Sequence, residues 1–326
     1  MTPTTLRDSL EHHQIALYAG AVVVGVLVAL ILPGTERWEG AINPALALML
    51  FVTFLQVPLT ELGRAFGQVR FLGAVFVANF YFVPIIVWAL MAFAPADPLI
   101  RLGVLLVLLC PCIDYVVTFA QMGRADAKLL LASTPILLVA QMLLLPIYLG
   151  FFLGAEAAVV VQVGPFVHAL IWLIALPLAL AALVQILAAR SSTVARGTLV
   201  LGIAPAPATA LVLLIVSAVV VPQLGQAIGP AVRVAPLYLV FALIAPLLGW
   251  GVSRLFRLEA PAGRAIAFSA ATRNSLVVLP LALAVPGAVP LLPAIIVTQT
   301  LIELIAQPLM IRLIPLLGGS RGAVVT

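Results

Sequence analysis

Two short polar stretches interrupt long apolar segments in this chain of 326 residues and hold most of its candidate chemistry. The first includes Cys110, Pro111, Cys112 and Asp114, and no other cysteine occurs in the sequence. Proline lacks a backbone donor and disrupts a helix, while a carboxylate at the centre of a membrane costs on the order of 3 kcal/mol. We therefore predict a broken helix at this point, with side chains that face a binding site or a polar partner.

The second stretch is a run of four polar residues, Thr272, Arg273, Asn274 and Ser275. Consecutive residues of a helix point in different directions, so no single face could hide all four from lipid. Irregular backbone within a membrane is tolerated where it lies inside the protein or lines water. The run predicts a second unwound segment, in which Asn274 and Ser275 supply oxygen or amide ligands.

Asp114, Arg273 and Glu303 are the only ionisable residues well inside the apolar segments. Such residues usually face a cavity or a partner of opposite charge. Asp114 and Arg273 belong to the two broken helices, and we expect them to pair or to face the path of a substrate. A salt bridge that only fastens two helices would use the same residues, and the sequence leaves both interpretations open.

A polar stripe marks the last apolar segment, where Gln299, Glu303 and Gln307 are spaced four residues apart. This spacing places the three side chains on one helix face, which must point into the protein. Glu303 could carry protons or serve as a hydrogen-bonded structural carboxyl group. Gln56 and Gln141, each within another apolar segment, could support the site.

The cysteines raise the question of a metal ligand. Zinc sites need about four ligands, and Cys110 and Cys112 have no histidine nearby. Buried cysteine often behaves as a small apolar residue, although a thiolate also suits a soft metal or metalloid. The sequence predicts no resident metal and no cofactor, and it leaves open a thiol ligand for a transported metalloid.

The composition indicates a membrane protein. Hydrophobic residues make up 64% of the chain and charged residues 8%, a balance that no soluble domain could bury. The net charge of +5 comes from scattered basic residues, which argues against a nucleic-acid partner. No zinc ligand set, Ser–His–Asp arrangement or nucleotide-binding loop indicates an enzyme. The polar N-terminal residues show no cleavable signal pattern.

Apolar segments of about 20 residues are long enough to span a lipid bilayer. Twelve of the sixteen basic residues fall on the side that holds both termini, three fall on the other side, and Arg273 lies within a segment. This asymmetry predicts cytoplasmic termini in the cell membrane. The ten predicted spans are 14–33, 42–59, 70–94, 99–121, 128–153, 162–189, 197–221, 233–256, 263–286 and 290–315.

The two halves of the chain correspond when one is shifted by 162 residues. This shift places Cys112 on Asn274 and Gln141 on Glu303, so the two polar breaks overlay. With five spans in each half, the second must be inverted, and inverted repeats with broken helices are typical of secondary transporters. We predict a single transporter domain made of repeats at about 14–153 and 162–315.

Three stretches resemble a known superfamily of transporters. Residues 112–119 (CIDYVVTF) and 123–126 (GRAD) resemble the fourth helix of the bile acid/sodium symporter superfamily and are most similar to the arsenical-resistance type arsenite permeases. Residues 270–275 (AATRNS) resemble the partner helix of both branches. Residues 300–303 (TLIE), followed by Pro308, resemble the last helix of the arsenite permeases.

This resemblance implies an all-α fold of ten transmembrane helices in two inverted five-helix repeats. Core and panel helices are interleaved in sequence, and the broken helices 4 and 9 cross in the core. In the arsenite permeases the cysteine of the fourth helix is the expected metalloid ligand, and it matches Cys112. Trivalent arsenic and antimony bind thiols, in keeping with the softness of a thiolate.

The chain also departs from both branches. Leu276 stands where the arsenite permeases have a glutamate, and Ser269 and Arg273 stand where the sodium symporters have a glutamate and a glutamine. Ser269 would thus be a supporting residue of the site. A fixed positive charge opposes a bound sodium ion. We therefore expect proton coupling through Asp114 or Glu303, unless Arg273 recognises an anionic substrate.

The sequence favours export of arsenite or antimonite in exchange for protons across the cell membrane. Cys112 would hold the metalloid, Asp114 and Arg273 would form the coupling pair, and Asn274 and Ser275 would line the site. The alternative is a symporter of organic anions, in which Arg273 binds a carboxylate or sulfate. A membrane receptor or an intramembrane enzyme would belong to another class, and no motif supports either.

Overall fold

The computed structural model describes residues 10, 13–56, 67–113, 115–154, 168, 170–222 and 227–318, and the prediction of an all-α protein is confirmed within these ranges. A π-helical turn, Ala78–Phe82, lies within the helix Val69–Met91, and another, Leu170–Ala175, precedes the helix Leu176–Ala188. The helices are α1 (Gln14–Ile31), α2 (Glu39–Phe54), α3 (Val69–Met91), α4 (Pro98–Leu108), α5 (Tyr115–Met122), α6 (Ala127–Leu153), α7 (Leu176–Ala188), α8 (Ser192–Leu201), α9 (Pro205–Val220), α10 (Ile228–Leu255), α11 (Ala260–Ala271), α12 (Ser275–Leu283) and α13 (Leu291–Leu313).

Several of these helices are long and apolar enough to cross a membrane. In the described part of the chain they are α1, α3, α6, α10 and the segment Leu291–Leu316, and the pair α8 and α9, bent by 44°, would add a sixth span. Helices α4 and α7 are apolar but shorter. A membrane protein with several spans is therefore confirmed. The two halves of a broken helix are each too short to cross a membrane alone, so the count of ten spans stays a prediction. The inverted repeat stays a prediction as well.

Both polar stretches interrupt helices, and the two interruptions lie against each other. Helix α4 ends at Leu108 before Pro111, and α11 ends before the run of polar residues. The two unwound segments run antiparallel, with Pro111 opposite Arg273. The backbone N–H of Cys112 donates to the carbonyl of Thr272 at 3.0 Å, and that of Asn274 donates to the carbonyl of Cys110 at 2.8 Å. These bonds satisfy backbone groups that the interrupted helices leave free.

Many of the helix contacts fall into two groups. In one group α9 packs against α1 and α2, and α2 also contacts α7. In the other group α10 packs against α11 and α13, and α13 contacts both α4 and α12. The crossing therefore lies within the second group, which surrounds it with helices.

Close helix contacts within these groups depend on glycine. A Cβ atom at Gly25 of α1 would lie 2.5 Å from the carbonyl oxygen of Leu214 on α9. A Cβ atom at Gly249 of α10 would lie 2.7 Å from the carbonyl oxygen of Ile266 on α11. Small residues allow membrane helices to approach closely, so each glycine fixes the position of one element near the crossing.

Candidate functional site

The polar stripe of α13 faces the second unwound segment. Gln307 Nε2 donates to Thr272 Oγ1 at 3.0 Å. Thr300 Oγ1 donates to Ser275 Oγ at 2.9 Å. The stripe and the neighbouring Thr300 therefore bind both ends of the interruption between α11 and α12, which explains why α13 carries so many buried polar side chains.

Glu303 lies at the centre of this stripe and accepts hydrogen bonds from three elements. The backbone N–H of Arg273 donates to Oε2 at 2.8 Å, and Gln299 Nε2 donates to the same atom at 2.8 Å. The hydroxyl of Tyr115 lies 2.9 Å from Oε1. The side chain is 3% exposed. An ionised carboxylate is only an acceptor, so three donors suit it, and the carboxylate fastens the crossing to α5 and α13.

The guanidinium of Arg273 donates to a set of oxygen atoms from α3, α4 and α11. Nη2 donates to Asn79 Oδ1 at 2.8 Å, to the carbonyl of Ser269 at 2.6 Å and to that of Ala270 at 2.7 Å. Nη1 donates to the carbonyl of Leu108 at 3.3 Å. The residue is 0% exposed, so its charge is held by carbonyl and amide dipoles of the core.

A cavity of about 210 Å³ is lined by residues of α1, α2, α5, α6 and α9. It reaches the crossing at Ile113 and Tyr115, the latter being the residue whose hydroxyl contacts Glu303. Its described lining contains no charged side chain. The polar members of the lining are all neutral amides and hydroxyls, namely Gln14, Tyr18, Thr53, Gln56, Tyr115, Thr118, Gln121 and Thr209.

A comparison with protein families assigns the chain to one of them. Residues 43–229 match the model of the sodium bile acid symporter family, which is more than half of the 326 residues. The chain belongs to the sodium bile acid symporter family. A search of curated proteins found no match. Members of the family are transporters rather than enzymes, which suggests a small-molecule substrate and a place in a membrane.

The superfamily indicated by the motifs is thus confirmed, whereas the match does not separate arsenite permeases from bile acid symporters.

Most of the predicted site residues lie at the crossing of this symporter fold. Cys112, Asn274, Ser275 and Ser269 are all buried there. Asn274 also caps α12, since its Oδ1 accepts from the backbone N–H of Val277 at 3.4 Å.

The supporting residues fall in different places. Gln299 contacts Glu303, as described above, and Gln56 lines the cavity at the end of α2. Gln141 is buried on α6, and its amide group has no hydrogen-bond partner among the described residues. Asp114 lies outside the described residues, so its expected pairing with Arg273 stays a prediction.

Asn79 and the hydroxyl of Tyr115 belong to the site although no motif in the sequence indicates a role for either. Asn79 lies in the π-helical turn of α3, where Nδ2 donates to the carbonyl of Val75 at 3.0 Å and to Ser269 Oγ at 2.9 Å. A single amide side chain in the apolar run 71–80 was the available signal. The neutral cavity lining had no such signal, because its members come from helices that are distant in sequence.

Proposed function

We propose that this member of the symporter family is a secondary transporter that exports undissociated arsenous or antimonous acid in exchange for protons. It would lie in the cell membrane with both termini in the cytoplasm. The transported species is a small, uncharged molecule with several hydroxyl groups. The cavity and the crossing beside it would form the binding site, with solute entering from the cytoplasmic side.

The observation that carries this proposal is the chemistry of the cavity. Its described lining offers amide and hydroxyl groups of glutamine, threonine and tyrosine, without a charge. Such groups can donate to and accept from a neutral hydroxylated solute. An organic anion would leave its charge without a partner on this surface, which is costly in a low-dielectric site.

Cys112 supplies the proposed metalloid ligand. Its neighbour Ile113 lines the cavity, and both belong to an unwound segment that no helix holds in register. The thiol itself is 0% exposed. We expect the unwound segment to shift when the solute binds, so that the Cys112 thiol condenses with the acid. A sulfur–metalloid bond replaces one metalloid–hydroxyl bond, the thiol proton and that hydroxyl leave together as water, and the reverse hydrolysis releases the solute. Asn274 and Ser275 would complete the site on the opposite segment.

The alternative substrate, an organic anion, depends on Arg273 as its partner. The guanidinium already donates to one amide and three carbonyl oxygens. Binding a carboxylate would require it to leave those partners and a fully buried position. The hydrogen bonds of Arg273 therefore support the neutral solute over the anion.

We assign proton coupling to Asp114, because Glu303 already receives three donors at the crossing.

The inverted repeat is part of the same proposal. A shift of 162 residues exchanges the two hydrogen bonds of the crossing, since Cys112 maps onto Asn274 and Cys110 onto Thr272. This exchange is what a two-fold relation between the repeats would produce.

Arsenite accumulation in cells that lack arsenite export tests the proposal. Cells that express the chain are expected to hold less arsenite than cells with an empty vector. Cys112→Ser should abolish the difference, whereas Cys110→Ser should keep it. The second variant is a matched control, because both cysteines are fully buried in the same segment.

Two results would contradict the proposal. One is arsenite accumulation that does not change when the chain is expressed. The other is export by the Cys112→Ser variant at the rate of the unchanged protein. Uptake of taurocholate measured in the same cells would show whether the organic-anion alternative holds instead.

A further inference from the structure

The oxygen atoms around Arg273 form a cage with the composition of a cation site. Three of them, from Asn79, Ser269 and Ala270, lie 2.6 to 2.8 Å from the single nitrogen Nη2, and the carbonyl of Leu108 lies 3.3 Å from Nη1. Nη2 carries only two hydrogens, so three acceptors exceed what its hydrogen bonds can use. Carbonyl and amide oxygens that converge on one point are the ligands that hard cations take.

The position of the cage also favours a cation. Leu108 is the last residue of α4, and Ala270 lies in the last turn of α11. The C-terminal end of a helix carries partial negative charge and attracts cations. Broken helices of membrane transporters use such ends, together with unwound carbonyls, to hold coupling ions. Two helix ends therefore direct their negative poles at the Arg273 guanidinium.

The cage is built from corresponding positions of the two halves. A shift of 162 residues places Leu108 on Ala270 and Asn79 on Phe241. The ring of Phe241 lies on the guanidinium, with 5.4 Å between its centroid and Arg273 Cζ. The positive group therefore has matching neighbours from both halves, as expected for a site where the halves meet.

The pair of Asn79 and Phe241 selects a guanidinium over a metal ion. The amide oxygen could serve either cation, and the two bonds donated by Asn79 Nδ2 aim that oxygen at Arg273. A phenyl ring offers no lone pair to a metal, but its face attracts a planar guanidinium by a cation–π interaction. The sodium ion that the name of the family implies does not fit this set of residues.

We propose that Arg273 is the permanent occupant of a cation site, so that the transporter carries its own cation and works without external sodium. The proposal rests on the proposed function only in that the chain acts as a secondary transporter, whatever its solute. Movement of the crossing would then move the guanidinium relative to the two helix ends, while in a sodium symporter the ion itself leaves.

The first test uses the unchanged protein. Arsenite flux into liposomes is measured with sodium, potassium or N-methylglucamine as the only added cation, and equal rates are expected. A rate that falls roughly tenfold without sodium, equivalent to about 1.4 kcal/mol, would overturn the proposal. The unfolding temperature in detergent needs no solute, and it is expected to be the same in sodium and potassium chloride. An unfolding temperature that is higher in sodium chloride than in potassium chloride would also overturn the proposal.

The second test removes the occupant. Arg273→Ala should lower the unfolding temperature, and N-ethylguanidinium, which replaces the missing part of the side chain, should raise it again. The exposed residue Arg312 provides the control, because Arg312→Ala should not respond to N-ethylguanidinium. A rise in the unfolding temperature of Arg273→Ala on addition of sodium would also show that the cage binds cations. A folded Arg273→Ala protein that responds to neither cation would contradict the proposal.

Arg273→Lys keeps the experiment decisive if the alanine variant does not fold. Lysine retains the positive charge with fewer donors. We expect this variant to fold and to transport without sodium, at a lower rate than the unchanged protein. A requirement for sodium in Arg273→Lys would show that the charge of the side chain does not fill the site.

Discussion

Removal of the Tyr115 hydroxyl should weaken the crossing without enlarging the cavity. This hydroxyl lies 2.9 Å from Glu303 Oε1 and 3.0 Å from the carbonyl of Arg273. One proton can serve only one of these acceptors at a time, so the hydroxyl can change partner when the crossing moves. Tyr115→Phe keeps the ring that lines the cavity and removes only the hydroxyl, with its contacts to Glu303 and to the carbonyl of Arg273.

The expected loss follows from the charge and burial of Glu303. A hydrogen bond to a charged group contributes about 1.5–3 kcal/mol, and a buried acceptor left without its donor is costly. Glu303 would keep two of its three donors. We therefore expect Tyr115→Phe to lower the free energy of unfolding by about 2 kcal/mol. Tyr81→Phe is the control, since Tyr81 is 61% exposed and should change the stability little.

A double-mutant cycle with Glu303→Gln measures the link directly. Unfolding free energies are determined by denaturant titration in mild detergent for Tyr115→Phe, Glu303→Gln and the double variant. Groups in direct contact show interaction energies of roughly 0.5–3 kcal/mol, whereas independent sites add within about 0.5 kcal/mol. Additive effects would refute the role given to this hydroxyl. Coupling above that limit would support it.

Three further predictions address packing, the cavity and proton coupling. Gly249→Ala should destabilise the protein by about 1–3 kcal/mol through overpacking against Ile266. Gly251→Ala on the same helix should be tolerated, because its Cβ atom would meet open space. Thermal unfolding compares the two variants, and equal effects would contradict the close contact at Gly249. Gln56→Ala should raise the solute concentration for half-maximal transport roughly fivefold through a lost hydrogen bond of about 1 kcal/mol, with unchanged unfolding temperature; an unchanged half-maximal concentration would remove Gln56 from the site. Asp114→Asn should stop a pH gradient from driving transport in liposomes, and drive by the gradient in this variant would exclude Asp114 as the proton carrier.

The breaks in the helices could be predicted because their causes are local. Pro111 removes a backbone donor wherever it stands in a helix, and four consecutive polar residues cannot share one face. The comparison of the two halves then placed both breaks at corresponding positions. The stripe on α13 could be predicted for the same reason, since its spacing of four residues is a property of one helix.

The partners of Arg273 could not be predicted, because backbone carbonyls leave no trace in the sequence. The sequence suggests a salt bridge with Asp114, which stays a prediction, whereas the hydrogen bonds of the guanidinium among the described residues go to three carbonyls and Asn79. The cavity could not be predicted from the sequence either. Its lining joins α1, α2, α5 and α9, and their contact depends on packing at sites such as Gly25.

Arsenite flux in liposomes that contain only the purified protein tests the central claim most directly. We expect a pH difference to drive arsenite against its concentration gradient in potassium medium. Cys112→Ser should abolish this movement, and taurocholate should not compete with arsenite. Taurocholate transport without arsenite movement would contradict the neutral-solute site. The same outcome would support Arg273 as the partner of an organic anion.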